Sequence, residues 1–458
     1  MRFHLKKIIY KNNNINISIV KNKTLCCHQI QNMAAPIKWL IITFFALNFN
    51  LNKAFTQSDP KLINALNEQL IPLKTVSEDL DFMDFDPLNS MLKEKQIIAL
   101  GEATHGTHEF FLYKHQMLAY LVKKIGVKTI ILEADFSGSQ TMNDYVVNGK
   151  GTAEQAILEM GFYGITQEFV DLVKWLKAYN DTQLPENKVN LYGCDMQYPV
   201  YAAKKIKEYL VQNNLITPAL SVGFEAMNKY YPSLTGKEKT AISTTITNLS
   251  SLKFEDQDTA KNALYKRDLR ALQQFADAQS KGSSYKQSDA RDQYMAENCE
   301  WIYQYTKQNK MMLWQHNQHI SRTKSSTGLI RMGNFLAETF KDKYYALGFD
   351  FYSGAMRSYD LKLRKKVDVE LPPAKIGSSA EIFSKCKVPN FILDFKTASV
   401  NPIVSEFLNG KIQSVAYGAG FDKGQTPYYL QHKLSGSYDA IIFIRDTKPS
   451  IDMSTQKK

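Results

Sequence analysis

The stretch LGEATHGTHEFF, Leu100 to Phe111, holds two glutamates, two histidines and two glycines directly after the apolar run QIIA. Carboxylates and imidazoles at this density suit proton transfer to and from water, and the same groups can hold a divalent metal. If a helix starts near Thr104, His105 and Glu109 stand four apart on one face, while Glu102 reaches the imidazole from before the turn. A histidine held by carboxylates keeps one orientation and one tautomer, as water activation requires. Gly101 and Gly106 permit a sharp strand-to-helix turn and the close approach of a substrate. A capped helix start with a solvated histidine is the structural alternative, and from this segment alone both readings stand.

Metal chemistry is the main competitor. Neither HExxH nor HxxEH occurs here, but His105 and His108 share a helical face, with Glu102 or Glu133 as a third ligand. His108 completes no recognised metal motif and is read as a supporting or exposed residue. No cofactor is expected, with a divalent metal as the alternative. A second cluster, WQHNQHI from Trp314 to Ile320, offers His316 and His319. Serine chemistry lacks its nucleophile elbow, since no GxSxG is present. Walker A, GxGxxG and CxxC patterns are also absent from the sequence. Cys194 sits beside Asp195, which would raise a thiol pKa, so it is read as packing.

These groups need elements to bring them together. Short apolar runs end on charge at 96–102, 128–135, 188–195 and 310–319, with helical patterns at 107–124 and 167–179 between them. Uninterrupted apolar strands alternating with helices predict an α/β fold, a mainly parallel sheet flanked by helices. The carboxyl edge of such a sheet binds ligands, and here it receives Glu102, Glu133, Asp135, Asp195, His316 and His319. Polar helical text predicts a helical insertion at about 203–281, followed by a long helix over 285–309. Strands are predicted at 344–351 and 438–446, with a hairpin or mobile loop in the Lys-rich stretch after the first. They belong to a smaller α+β C-terminal part.

With 458 residues and 44% hydrophobic content the chain can bury a sizeable core. The formal charge is +12, but eight cations and no acids lie in the first 56 residues, leaving +4 for the rest. The body therefore presents no basic surface for nucleic acid. Met33 opens a signal-peptide pattern, with Lys38 and an apolar stretch from Trp39 to Leu51 that is short for a membrane span. Translation is expected to start at Met33, with residues 1–32 a start-site artefact, 33–57 a signal peptide and 58–458 the mature domain; an uncleaved N-terminal anchor is the alternative. No stable membrane insertion is expected after cleavage. The cysteines form no disulfide or zinc pattern.

Six ordered blocks now carry a resemblance. ALGEATHGTHEFFLYKHQMLAYL, TIILEADFSGSQTMNDYV, LVKWLKAYN, VNLYGCDMQ, RDQYMAEN and MLWQHNQHI, the last followed by RMGNFLAETFKDKYYALGFDFYSG, together resemble the erythromycin esterase family from about Leu92 to Asp446. The resemblance implies hydrolysis of a macrolide lactone or similar ester by histidine-activated water, with no covalent enzyme intermediate. It implies His105 as general base, held by Glu102 or Glu109. Glu133 supports the site, and His316 or His319 positions water or the oxyanion. Lys114 stands where macrolide esterases carry an arginine and lacks that group's two-pronged hydrogen bonding. With Asp135 and Asp195 it is assigned to substrate binding, and it also balances charge in the site. The expectation is a periplasmic or secreted carboxylic ester hydrolase acting on a small molecule. A metal-dependent peptidase or amidase is the alternative, and a binding protein that uses the cleft without catalysis is a third reading.

Overall fold

The computed structural model describes residues 59–74, 83–159, 166–253, 259–325, 327–418, 420–421 and 424–453. The expected leader and signal peptide lie outside the described residues. The strands are β1 (Ile71–Pro72), β2 (Ile97–Leu100), β3 (Thr129–Asp135), β4 (Asn190–Asp195), β5 (Met311–Trp314), β6 (Tyr344–Asp360), β7 (Lys365–Leu371), β8 (Asn390–Asp394), β9 (Ile412–Ala416), β10 (Tyr428–His432) and β11 (Ala440–Thr447). The helices used below are α1 (His108–Tyr120), α2 (Phe136–Asn148), α3 (Gln167–Asp181), α4 (Pro199–Gln212), α5 (Pro218–Met227), α6 (Gly236–Ser250), α7 (Thr259–Ser280) and α8 (Ser284–Thr306).

The apolar runs become strands because they are covered on both faces. Every residue of β2, β3 and β5 is buried, as a sheet with helices on both sides demands. The strand order is β1-β8-β11-β6-β2-β5-β3-β4, with β7 paired to the outer half of β6. From β11 through β6, β2, β5 and β3 to β4 all neighbours are parallel. β8 runs antiparallel to β11, β1 to β8 and β7 to β6. The C-terminal strands β8 and β11 thus extend the main sheet, and only β9 and β10 form a small antiparallel sheet of their own. The Lys-rich stretch is the β6–β7 hairpin.

Chain order and strand order diverge at β2. From β2 the chain moves to β3 and β4 on one side, β5 fills the gap, and β6 is laid on the other side. The crevice outside the carboxyl end of β2 is therefore a switch point, where open α/β sheets hold ligands. Ile98, Leu100, Ile130, Leu132, Met312, Trp314 and Leu347 pack beneath it in one core. Helices α4 to α7 occupy the stretch expected as an insertion, beginning at Pro199. They bury a separate cluster that includes Ile206, Leu210, Phe224, Ile246 and Leu272. No helix among the described residues is long and apolar enough to cross a membrane.

Candidate active site

Beyond β2 the chain runs as a non-helical loop, with bends at Ala103, His105 and Gly106, as far as Thr107, the N-cap of α1. Gly106 explains why. Its carbonyl accepts hydrogen bonds from Arg357 N at 2.8 Å and Ser450 N at 2.9 Å, pinning the loop between β6 and the C-terminal segment. A Cβ on Gly106 would lie 1.8 Å from the Arg357 carbonyl oxygen, against backbone that cannot yield. Gly106→Ala is expected to cost about 1–3 kcal/mol through overpacking and to lower turnover by shifting His105. Denaturant midpoints and steady-state rates on the same preparation check both effects.

The pinned loop places His105 on Glu102. Nδ1 of His105 lies 2.7 Å from Glu102 Oε1, and the other carboxylate oxygen accepts from Lys114 Nζ at 2.7 Å and Trp314 Nε1 at 3.1 Å. Burial would raise the pKa of Glu102, but Lys114 and His105 outweigh it and hold the carboxyl below its ordinary range. An ionised Glu102 requires the proton on His105 Nδ1, so in the neutral ring Nε2 carries the lone pair. Burial draws Lys114 down to about 8, which still leaves a cation at neutral pH. Its ammonium also sits 4.3 Å from the Trp314 ring centroid.

The second histidine cluster is locked in another way. His316 Nε2 donates to the Tyr417 carbonyl at 2.9 Å and Nδ1 accepts from Gln318 N at 3.2 Å. Burial, with help from His105, pulls its pKa to about 3, so it is a neutral ring, 5.0 Å from that of His105. His319 Nδ1 lies 2.5 Å from Asp292 and Nε2 3.3 Å from Glu133. Burial alone would lower its pKa, yet Asp292 and Glu133 raise it to about 9. Arg291 Nη1, 3.2 Å from that Nε2, cannot donate to an imidazolium. It is held by the carboxylates of Glu133 at 3.0 Å and Asp195 at 2.8 Å. Glu133 also accepts from His316 N at 2.8 Å. Despite burial, His319, His105 and Arg291 keep it well below the ordinary range.

His319 therefore stabilises the fold through its charge. Its folded pKa lies above the unfolded value of about 6.5, so the contribution is complete below that value and is lost as pH rises through about 9. Melting temperatures of the parent and His319→Gln, taken from about pH 6 to pH 10, should converge at the alkaline end. A constant gap would remove the charge from the account.

Several expected roles change. Glu109 does not hold His105: the helix starts after Thr107, so residues 105 and 109 share no helical face, and Glu109 Oε2 accepts from Lys448 N at 2.8 Å. Lys114 is fully buried against Glu102, which takes it away from substrate and leaves only its other expected role, balancing charge. Asp135 caps α2, accepting from Ser137 N at 3.0 Å and Gly138 N at 2.9 Å, and burial holds its carboxyl well above its ordinary range. Asp195 is the anchor of Arg291 and is itself buried. His316 has both nitrogens engaged and offers neither a donor to an oxyanion nor a ligand to a metal. His108 is partly buried, with Nδ1 2.5 Å from Glu168. Among the described residues no three His, Cys, Asp or Glu side chains could converge on a metal ion.

Arg291, Asp292, Arg331 and Trp314 are site residues that pattern reading passed over. Arg331 donates to Asp292 at 2.9 Å and so completes the support of His319. A signal for Asp292 exists: it stands on the buried stripe of α8 with Met295, Ala296 and Cys299, at helical spacing. A carboxylate on such a stripe requires a buried partner.

His105 opens into a cleft with about 470 Å³ of empty space, walled by Gly106, Thr166, Arg357, Ser358, Lys366 and Ser450 among others. A second, narrow pocket adjoins His316 and includes Gln318, Arg331, Asp350 and His432 in its lining.

Comparison with known proteins identifies the family and the fold. The erythromycin esterase family model matches residues 122–447, a span that includes Glu133, His316 and His319 and begins after Glu102 and His105. Erythromycin esterase type II of Escherichia coli is 23% identical over 428 residues, covering 84% of this chain and 97% of the relative. YbfO of Bacillus subtilis (strain 168) is 26% identical over 407 residues, covering 80% of this chain and 86% of that protein. Among solved structures, a succinoglycan biosynthesis protein superposes with a TM-score of 0.75 at 23% identity, over 86% of this chain and 99% of its own. An erythromycin esterase mutant in its open conformation gives 0.63 at 16% identity, over 84% and 98%. With the family model spanning most of the chain and full-length relatives extending the match, this protein belongs to the erythromycin esterase family.

Proposed function

We propose that this protein is a carboxylic ester hydrolase that opens a macrolide lactone or a similar small-molecule ester with water activated by His105. The observation that carries the reading is the Glu102–His105 pair beyond β2, fixed by Lys114 and Trp314, whose His105 lines a cleft. Nε2 takes a proton from water as the water oxygen attacks the carbonyl carbon, and Glu102 stabilises the imidazolium that forms. When the tetrahedral intermediate collapses, the ester C–O bond breaks and Nε2–H returns the proton to the departing alkoxide. One water is consumed, one acid and one alcohol are released, and no bond to the enzyme forms. His319 and Arg291 are positioning residues that hold Glu133, which in turn holds the His316 backbone.

Incubation with a panel of macrolides and simple lactones, read by mass spectrometry, tests the reaction: a true substrate gains one water. Failure of the whole panel, with active relatives run alongside, would overturn the lactone reading. We also propose export to the periplasm or medium, supported by the pattern from Met33 to Gln57. The native N-terminus is expected near residues 55–58, and an intact Met1 on the soluble cytoplasmic protein would overturn it.

A further inference from the structure

The β6–β7 hairpin ends in a turn that presents apolar side chains to solvent. Leu361 and Leu363 are 64% and 55% exposed, and Tyr359 just before them is 38% exposed. Single apolar side chains scattered on a surface are ordinary, but three large ones within five residues form a patch, and such patches mark contact sites. The same stretch is cationic. Lys362, Arg364 and Lys365 are exposed and Lys366 is half-buried, whereas Asp360, the one acid between residues 359 and 367, is 2% exposed.

The turn closes without help from the leucine side chains. Asp360 Oδ1 accepts from Lys362 N at 2.9 Å and from Leu363 N at 2.8 Å, and Arg364 takes the left-handed conformation with φ 52°. Pairing of β6 with β11 stops at Gly354, and the β6–β7 ribbon runs on to Asp360, about 20 Å further at the rise of a strand. It is propped on the way. Arg357 N donates to the Gly106 carbonyl at 2.8 Å, and the Tyr359 carbonyl accepts from Phe421 N at 3.2 Å. The hairpin is thus a supported ribbon with an apolar end and a cationic collar.

We propose that this tip docks reversibly on an anionic phospholipid surface, with Leu361 and Leu363 entering the headgroup region and the neighbouring cations lying at the level of the phosphates. Apolar side chains below a ring of Lys and Arg are what such a surface holds, each cation adding to the attraction and the leucines supplying buried area. Size and charge set the other occupants aside. A four-residue turn falls far short of the roughly 800 Å² per partner of a stable protein interface, and a partner covering more of the ribbon meets the exposed acids Asp368 and Glu370. The first 56 residues of the chain carry eight cations and no acid, so a cationic tip repels them. Tyr359 and Lys366 also line the cleft into which His105 opens, so docking brings that cleft to the lipid surface. The proposal itself does not depend on the hydrolase reading.

The test uses the full chain, processed as the cell processes it, with vesicles of phosphatidylcholine alone and of an equal mixture of phosphatidylcholine and phosphatidylglycerol. Co-sedimentation should show binding to the mixed vesicles that weakens with added salt, and much less to phosphatidylcholine alone. Arg364→Gln/Lys365→Gln should weaken binding to the mixed vesicles by roughly 30-fold, about fivefold per cation, and Leu361→Ser/Leu363→Ser by at least about tenfold. Both variants should melt with the parent, since the altered side chains are exposed. Entry of the tip has its own readout: Leu363→Trp should add an emission, beyond that of the parent, that shifts to the blue on mixed vesicles and is quenched by brominated lipid. No binding to mixed vesicles, or binding that both double variants keep, would overturn the proposal. Loss in the cation variant alone, with the Leu363→Trp emission unmoved, would overturn it too and leave only loose electrostatic adsorption. Self-association of the parent that Leu361→Ser/Leu363→Ser abolishes, without vesicle binding, would assign the tip to a second copy of the chain instead.

Discussion

His105→Ala is expected to lower kcat by roughly 10² to 10⁴, the usual contribution of a positioned acid–base group, with a much smaller change in KM. Its imidazole is held 2.7 Å from Glu102 and is largely buried, yet it lines the cleft. Removing the ring deletes the proton acceptor while leaving the cleft walls in place. His108→Ala gives the contrast. His108 is bound to Glu168, which also accepts from Ile451 N at 3.0 Å, so its loss should loosen the C-terminal segment and cost stability more than turnover. Rates on a verified ester substrate, with circular dichroism to show that both variants fold, separate the two effects. A folded His105→Ala protein that turns over near the parental rate would take His105 out of the mechanism.

The parts of the molecule readable from sequence are those whose signal is local. The runs IIAL, TIILEAD and MMLW are strands buried on both faces, and such strands read as uninterrupted apolar text whatever surrounds them. Their shared carboxyl edge then follows from the βα alternation, which is why Glu102, Glu133, His316 and His319 could be placed together in advance. The error over Glu109 came from a non-local cause. Spacing rules carry His105 and Glu109 onto one helical face only if the helix has begun, and the Gly106 contacts with Arg357 and Ser450 keep the chain out of the helix until after Thr107. Lys114 misled only as a substrate contact, because a lysine is usually a surface group, whereas this one is enclosed beneath Trp314 and beside Glu102, where it balances charge. The walls of the cleft carried no pattern at all. Ser358, Lys366 and Ser450 lie on separate elements and meet only when β6, β7 and the C-terminal segment are assembled.

The Glu102–Lys114 pair should separate stability from catalysis. Both side chains are at most 1% exposed, so Glu102→Gln leaves a buried ammonium without its carboxylate, at a cost of about 3–5 kcal/mol. Lys114→Met is costly in the opposite sense, since Glu102 then keeps only His105 and Trp314 against its burial. The double variant Glu102→Gln/Lys114→Met has no unpaired charge and should recover most of the lost stability, because a neutral pair of similar volume often replaces a buried ion pair at little net cost. Activity should not return with it. Without an ionised Glu102 nothing stabilises the imidazolium or fixes the proton on Nδ1, so kcat should stay at least about 10²-fold down in both variants that lack the carboxylate. Burial already draws Lys114 to about 8, and losing its partner lowers it further. For a lysine whose folded pKa lies below its unfolded value, stability rises with pH between the two, so the deficit of Glu102→Gln should shrink from about pH 6 to pH 9. Unfolding midpoints of the four proteins give the coupling energy, expected to exceed about 3 kcal/mol. Additive losses would show that the two side chains do not act as a pair, and a double variant with parental turnover would reduce Glu102 to packing.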